Sequence, residues 1–375
     1  MNAGPVMEKE IFLYIVLAYL GVLVLLGVIS LCNLFFDALL SQSIKHKAKV
    51  YRKKQVLQLQ RLAEGQQLSI KHLKYFQRAF KHHRNLQAFD IVFNELSNKD
   101  KKQAEAYIYA LSPAFVPIVK NYRRKATLYQ AYLAYLLSKY PIDITIEEGK
   151  ISAFLLKLVE SKSIYARENA LRALAMFARA EDCVNALDVL AKNEKTTQVK
   201  LLTETLNNFR GDKEKYIALL LNNFKKYSST IKVAILNYVR LVSDTCKDKI
   251  YALLRTETNE EVLFACLRYF MKYRYDEAFS YILQLGYEKL IQEDWGFVAV
   301  IALVMKNYPR EKVLDFLGKA VTCKDWSCRE NAAKTLIDLY GNQAMTIVKS
   351  FQDKYANEMV QYQIDALSLK KGLKV

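Results

Sequence analysis

The first 36 residues and the rest of the chain follow two different hydrophobic patterns. From Ile11 to Phe36 there are 26 consecutive uncharged residues, IFLYIVLAYLGVLVLLGVISLCNLFF, with no polar face. At about 1.5 Å of helical rise per residue this stretch spans roughly 39 Å, more than the ~30 Å hydrocarbon core of a bilayer. Beyond it, apolar residues recur at spacings of three and four, and strict alternation is scarce. This spacing predicts helices near 69–83, 85–97, 99–112, 114–124, 127–139, 146–161, 163–179, 183–193, 196–209 and 213–226, continuing to about 368. They are separated by short polar breaks such as AED, RGD, KYSST and ETNEE. Eleven glycines and five prolines in 375 residues are too few for the turns of a sandwich, barrel or doubly wound sheet. The expected fold class is all-α.

The apolar stretch reads as a permanent anchor. A cleaved leader begins basic, carries an apolar run of about 7–15 residues and ends in small residues; here the flank is Glu8, Lys9, Glu10, the run is far longer, and ALLSQS is a poor cleavage site. The expected organisation is a short outer tail (1–10), a transmembrane helix (11–36), a basic juxtamembrane helix or linker (37–66), a helical repeat domain (67–368) and a basic tail (369–375). In the span, Gly21 and Gly27 lack a small residue at four positions' distance, so there is no GxxxG pairing face.

Charge fixes the expected orientation. The formal net charge is +18, and residues 41–140 carry +15 of it, together with all four histidines, His46, His72, His82 and His83. The C-terminal flank of the span holds Lys45, Lys47, Lys49, Arg52, Lys53 and Lys54, whereas the other flank holds only Lys9. The positive-inside rule then places the N-terminus outside and the large C-terminal part in the cytoplasm, with the protein in the cell (inner) membrane. The basic excess continues through Lys71, Lys74, Arg78, Lys81 and Arg84 to Arg123, Arg124 and Lys125, further than topology requires. Those flank residues and the cluster Arg123–Lys125 are the candidate contacts to anionic lipid headgroups or an acidic partner surface.

Two segments of the helical part match each other. YARENALRAL (165–174) and SCRENAAKTL (327–336) share R-E-N-A, with Arg167 and Arg329 separated by 162 residues. Between them the same slot falls at Lys200, Lys232, Glu261 and Gly296, in steps of 29 to 35 residues, with Ala170, Thr203, Ile235, Phe264, Ala299 and Ala332 three residues on. A pair of short helices cannot bury its apolar face alone, so such pairs stack into one continuous core. The small +3 residues let backbones approach. The ladder residues Arg167, Lys200, Lys232 and Arg329 are expected to hold acidic or carbonyl groups of a neighbouring turn, Asp325 beside Arg329 among them. On these residues the stretch 160–369 resembles the HEAT-repeat family, especially the shorter bacterial HEAT-like repeats, although Glu261 and Gly296 lack the basic residue. The resemblance implies an α-solenoid and no particular activity.

Catalytic signatures are not found. There is no G-x-G-x-x-G, H-E-x-x-H or G-x-S-x-G, and Gly149-Lys150 lacks the rest of a phosphate loop. Cys323 and Cys328 form C-x4-C, but no histidine follows His83, so the six cysteines are expected as free thiols and no metal or other cofactor is expected. Asp143, Glu147 and Glu148 read as dipole-complementing carboxylates at a helix start. The 25 tyrosines follow helical spacing and read as packing residues with surface hydroxyls, with a docking face as the alternative. The expected function is a non-catalytic scaffold: a single-span anchor whose cytoplasmic solenoid docks a protein partner, an integral membrane protein or complex such as an envelope glycosyltransferase or a transporter. The alternatives are a nucleic-acid binder, disfavoured by the span, and an enzyme akin to HEAT-like lyases or hydroxylases, disfavoured by the missing histidines.

Overall fold

A computed structural model describes residues 4–140, 142, 149–177, 179–193, 198–309, 311–341 and 343–372, and side chains from Tyr14 to Leu369 within those limits. The chain divides into two compact units, Met1–Phe177 and Ala178–Val375. No strand occurs among the described residues, so the protein is all-helical.

The first unit comprises α1 (Gly4–Ala63), α2 (Ile70–Ala79), α3 (His83–Lys99), α4 (Lys101–Leu111), α5 (Phe115–Tyr122), α6 (Thr127–Lys139), α7 (Lys150–Val159) and α8 (Ile164–Met176). The first helix is 60 residues long and unbroken. From Tyr14 to Phe36 its side chains lie open, and the helix is long and apolar enough to cross a membrane. The same helix then runs through the basic stretch without a joint, and its last turns pack on α3 and α4, burying Ala48, Tyr51, Gln55 and Gln58. Tyr51 meets the rings of Phe76 and Tyr75 at 5.3 and 5.9 Å, at the edge of an aromatic core built from Phe76, Phe80, Phe89, Phe93 and Phe115. Residues 37–63 therefore continue the helix of the apolar stretch and, from Ala48 onward, place side chains in the core of the first unit.

The second unit comprises α9 (Ala180–Lys192), α10 (Val199–Asn207), α11 (Lys213–Asn222), α12 (Ser229–Val242), α13 (Lys247–Thr256), α14 (Glu260–Lys272), α15 (Asp276–Ile291), α16 (Trp295–Val304), α17 (Glu311–Val321), α18 (Trp326–Tyr340), α19 (Gln343–Lys349) and α20 (Lys354–Gly372). Its even-numbered helices pack in succession, α10 on α12, α12 on α14, and so on to α20, while α11, α13, α15, α17 and α19 each pack on the even helix that follows. The ring of the fully buried Phe316 packs directly on Gly286 of α15, where a Cβ would stand 2.7 Å from it.

The polar breaks work as helix caps. Asp212 in the RGD break accepts from Lys215 N at 3.1 Å, and Asn259 in ETNEE accepts from Val262 N at 3.3 Å. Ser69, Asp100 and Ser163 cap α2, α4 and α8 in the same way, each such cap contributing about 1 kcal/mol. The AED segment is different. It forms the first turn of α9, where Glu181 and Asp182 complement the helix dipole, so that helix starts three residues earlier than its apolar pattern suggests. The acidic cluster Asp143, Glu147 and Glu148 lies outside the described residues. So do the side chains up to residue 13, and residues 373–375 of the expected tail.

The ladder slots are used in four different ways. Arg167 donates to the carbonyls of Ser161 and Lys162 at 3.0 and 3.2 Å, at the end of the preceding helix. Lys232 pairs with Glu257 at 2.7 Å, both side chains about 15% exposed or less. Arg329 lies over the ring of Tyr355 at 5.5 Å, because the carboxylate of Asp325 is engaged in capping α18, accepting from Cys328 N at 2.8 Å. Lys200 is exposed. The more regular device is the asparagine of R-E-N-A. Asn169 Nδ2 donates to Ala131 O on α6 at 3.2 Å, and Asn331 Nδ2 donates to Ala299 O on α16 at 3.1 Å, each pinning its helix to the even helix before it.

Candidate functional site

Among the described residues no three His, Cys, Asp or Glu side chains gather into a metal-ligand group. Five cysteines are buried and Cys32, on the apolar stretch, is exposed. Burial pushes the thiols of Cys183 and Cys266 up to about 12, so neither is a ready nucleophile. Six tyrosines, Tyr107, Tyr122, Tyr216, Tyr238, Tyr269 and Tyr308, are fully buried rather than half-exposed. In Tyr308 the hydroxyl donates to Tyr275 O at 2.8 Å, which closes a helix junction and presents nothing outward. The candidate sites are therefore surfaces, one in each unit.

In the first unit the nine basic residues singled out in the sequence separate into different roles. Arg52 grips Glu95 of α3 in a bidentate pair, with Nε and Nη2 at 2.6–3.0 Å from the carboxylate oxygens. With both side chains nearly half exposed the pair contributes at most about 1 kcal/mol, but it fixes which face of α1 meets the core. Lys54 Nζ sits 3.5 Å above the ring of Tyr75. Arg123 donates to Lys150 O at 2.9 Å. Lys45, Lys49, Lys53 and Arg124 are exposed. Lys47 and Lys125 come together, although 78 positions apart, at a cleft of about 490 Å³ that sequence reasoning did not single out.

Its other lining residues are Ser43 of α1, His82, His83 and Arg84 at the start of α3, and Tyr129 at the start of α6. None of the lining residues is acidic. Lys125 donates to Lys81 O and lies 4.7 Å from the ring centre of Tyr122, which holds its ammonium in place. His83 is set between the rings of Tyr129 and Tyr132 at 4.9 and 4.6 Å, and its buried Nδ1 has no hydrogen-bond partner among the described residues. Burial, followed by the charge of Lys125, lowers the pKa of His83 below its ordinary value. Neither α3 nor α6 has a side-chain cap, since His82 makes no capping bond and the methyl group of Ala126 cannot accept one. Three separated segments build this cleft, so no local motif signals it.

In the second unit the even-numbered layer carries a groove of about 470 Å³, bounded by Met271 of α14, Leu303 of α16, Lys334 and Asp338 of α18, and Gln363 and Leu367 of α20. Lys306, just after α16, spans it to Asp338 at 2.7 Å. Leu241, Tyr362 and Leu367 on the same layer are 41–55% exposed. The chain matches no protein-family model and no curated protein sequence.

Proposed function

We propose that the protein is a non-catalytic, membrane-anchored adaptor: α1 crosses the bilayer with its N-terminus outside, and the helical body is a HEAT-like α-solenoid on the cytoplasmic side that docks an integral membrane protein. The observation that carries this reading is the continuity of α1, bare and apolar from Tyr14 to Phe36 and then packed into a folded core from Ala48 onward. A soluble core helix of this length would be covered, whereas a rigid rod fused to a folded unit suits a part that must hold its body at a set distance from the bilayer. Anchoring raises the effective concentration of the body near other membrane proteins.

Succession of the even-numbered helices in the second unit supports the solenoid reading, because α12, α14, α16 and α18 each contact the even helix before and after, as repeats of a stack do. The groove on that layer, with Met271, Leu303 and exposed Leu367 beside the ion-paired Lys306 and Lys334, has the mixed apolar and basic character of a docking face.

The test is photo-crosslinking in native membranes with a reactive residue at Leu367 or Leu241, and at Lys319 of α17 as the comparison site. The adaptor reading predicts adducts to a membrane protein from the even layer and few from Lys319. Equal adducts from both layers, or adducts to nucleic acid that vanish steeply with added salt, would end it.

A further inference from the structure

We propose that the cleft between α1, α3 and α6 is a phosphate-binding site, built to take a phosphate monoester or diphosphate group where the helical body meets the membrane surface. Three fixed cations, Lys47, Arg84 and Lys125, line it together with His82 and His83, and the lining contains no carboxylate to neutralise them. Two other cations of the same unit have carboxylate partners, Arg52 with Glu95 and Lys139 with Asp90 at 2.8 Å, whereas Lys125 has only the carbonyl of Lys81. Like charges gathered without an opposing group repel one another, and an anion between them removes that cost.

The backbone points to the same ligand. The start of α3, a helix of 17 residues with no side-chain cap, supplies His82, His83 and Arg84 to the lining, and the partial positive charge of that helix end adds to the charge of the cations. The volume of about 490 Å³ lies in the ordinary range for ligand pockets, about 300–1,000 Å³. Arginine, lysine and a helix N-terminus together favour phosphate over a simple carboxylate, because a phosphate offers three or four acceptor oxygens to donors that come from three directions.

Position along α1 bears on the source of the phosphate. Phe36 ends the uncharged run of the helix, and Ser43 and Lys47 follow seven and eleven residues later. That is roughly 10–16 Å further along the axis, on the headgroup side of the hydrocarbon edge when Phe36 marks it. A lipid headgroup can therefore reach the cleft, and so can a free phosphate ligand from the cytoplasm. The lipid source rests on the anchored reading of α1, whereas the free source does not.

The experiment is isothermal titration calorimetry of the full chain in nanodiscs with inorganic pyrophosphate at about 150 mM salt. In phosphatidylcholine discs the wild type is expected to bind, Arg84→Gln to bind about tenfold more weakly or worse, and the surface pair Lys101→Gln/Lys102→Gln, which removes one positive charge more, to bind within about twofold of wild type. Lys125→Gln serves as a second cleft variant should Arg84→Gln fold poorly. In discs containing one-fifth phosphatidic acid, loss of pyrophosphate affinity assigns the cleft to a lipid headgroup, and unchanged affinity assigns it to a free phosphate ligand. Absence of binding in phosphatidylcholine discs, or equal weakening by the Lys101/Lys102 pair, overturns the proposal. Failure of the chain to enter nanodiscs at all would instead refute the anchored reading, and the pyrophosphate titration then decides the cleft in detergent.

Discussion

Replacing Lys232 by methionine tests whether the basic residue at this position stabilises the packing of α12 and α13. Lys232 Nζ lies 2.7 Å from Glu257 Oε1, joining α12 to the residue that follows α13, and the two side chains are only 15% and 13% exposed. At an effective dielectric constant of about 20, Coulomb's law gives roughly 6 kcal/mol of attraction at that separation, most of it offset by the cost of withdrawing both ions from water. Truncating one partner leaves the other charge nearly dry. Exposed pairs contribute at most about 1 kcal/mol and fully buried ones cost about 3–5 when broken, so Lys232→Met should cost about 2–4 kcal/mol. Glu257→Gln should also destabilise. The double variant should lose less than the sum by about 1.5–3 kcal/mol, because no orphaned charge remains. Native-state hydrogen exchange of peptides from α12 and α13 reads the local opening free energy directly. Additivity within about 0.5 kcal/mol would show that the two groups do not act as a pair, and the slot would lose its energetic meaning.

Three smaller tests follow from other contacts. His72 is buried against Phe76 and bonded to Tyr107 Oη at 2.9 Å; burial and then the charge of Lys54 lower its pKa to about 4, against about 6.5 unfolded. The unfolded chain therefore takes up a proton that the folded chain refuses, so this contribution is complete above pH 6.5 and is lost as pH falls toward 4. His72→Gln should lose less thermal stability than wild type between pH 7 and 5, and identical slopes would refute the assignment. Asn331→Asp keeps the shape but turns a donor into a carboxylate facing Ala299 O, which should cost about 1–3 kcal/mol in denaturant unfolding, whereas no change would mean the bond is incidental. Gly286→Ala must push Phe316 aside, and an overpacking cost of about 1–3 kcal/mol should exceed the ~0.5–1 kcal/mol that alanine gains in a helix, so the melting temperature should fall rather than rise.

Much of the architecture was legible because helices announce themselves locally. Spacings of three and four located the helices, and Asp212, Asn259 and Ser163 marked their starts by a mechanism that needs only neighbouring residues. What depended on tertiary packing was not legible. The sequence at 37–66 read as a basic juxtamembrane helix or linker, and it did not reveal that Ala48, Tyr51, Gln55 and Gln58 recur along one face that the core of the first unit covers. Tyrosine hydroxyls suggested exposure, but stacking between layers buried Tyr216, Tyr238 and Tyr269 completely. R-E-N-A drew attention to its arginine because charge is conspicuous, while the asparagine beside it makes the repeated bond. The basic surface was visible as an excess of charge. Which of those charges are already paired, and that Lys47 and Lys125 share a cleft, follows only from the fold.

The claim on which the functional account depends is that α1 crosses the bilayer and leaves the helical body on the cytoplasmic side. It is tested most directly by one reporter thiol. Lys101 has a side chain 79% exposed, and apart from Cys32 the native thiols are buried, so Lys101→Cys in a Cys32→Ala background gives a single accessible sulfur. A membrane-impermeant maleimide should label it in inside-out vesicles and leave it unlabelled in right-side-out vesicles, with the chain retained in the membrane after an alkaline wash. Labelling from the outside, or release of the full-length chain by the wash, would contradict the account.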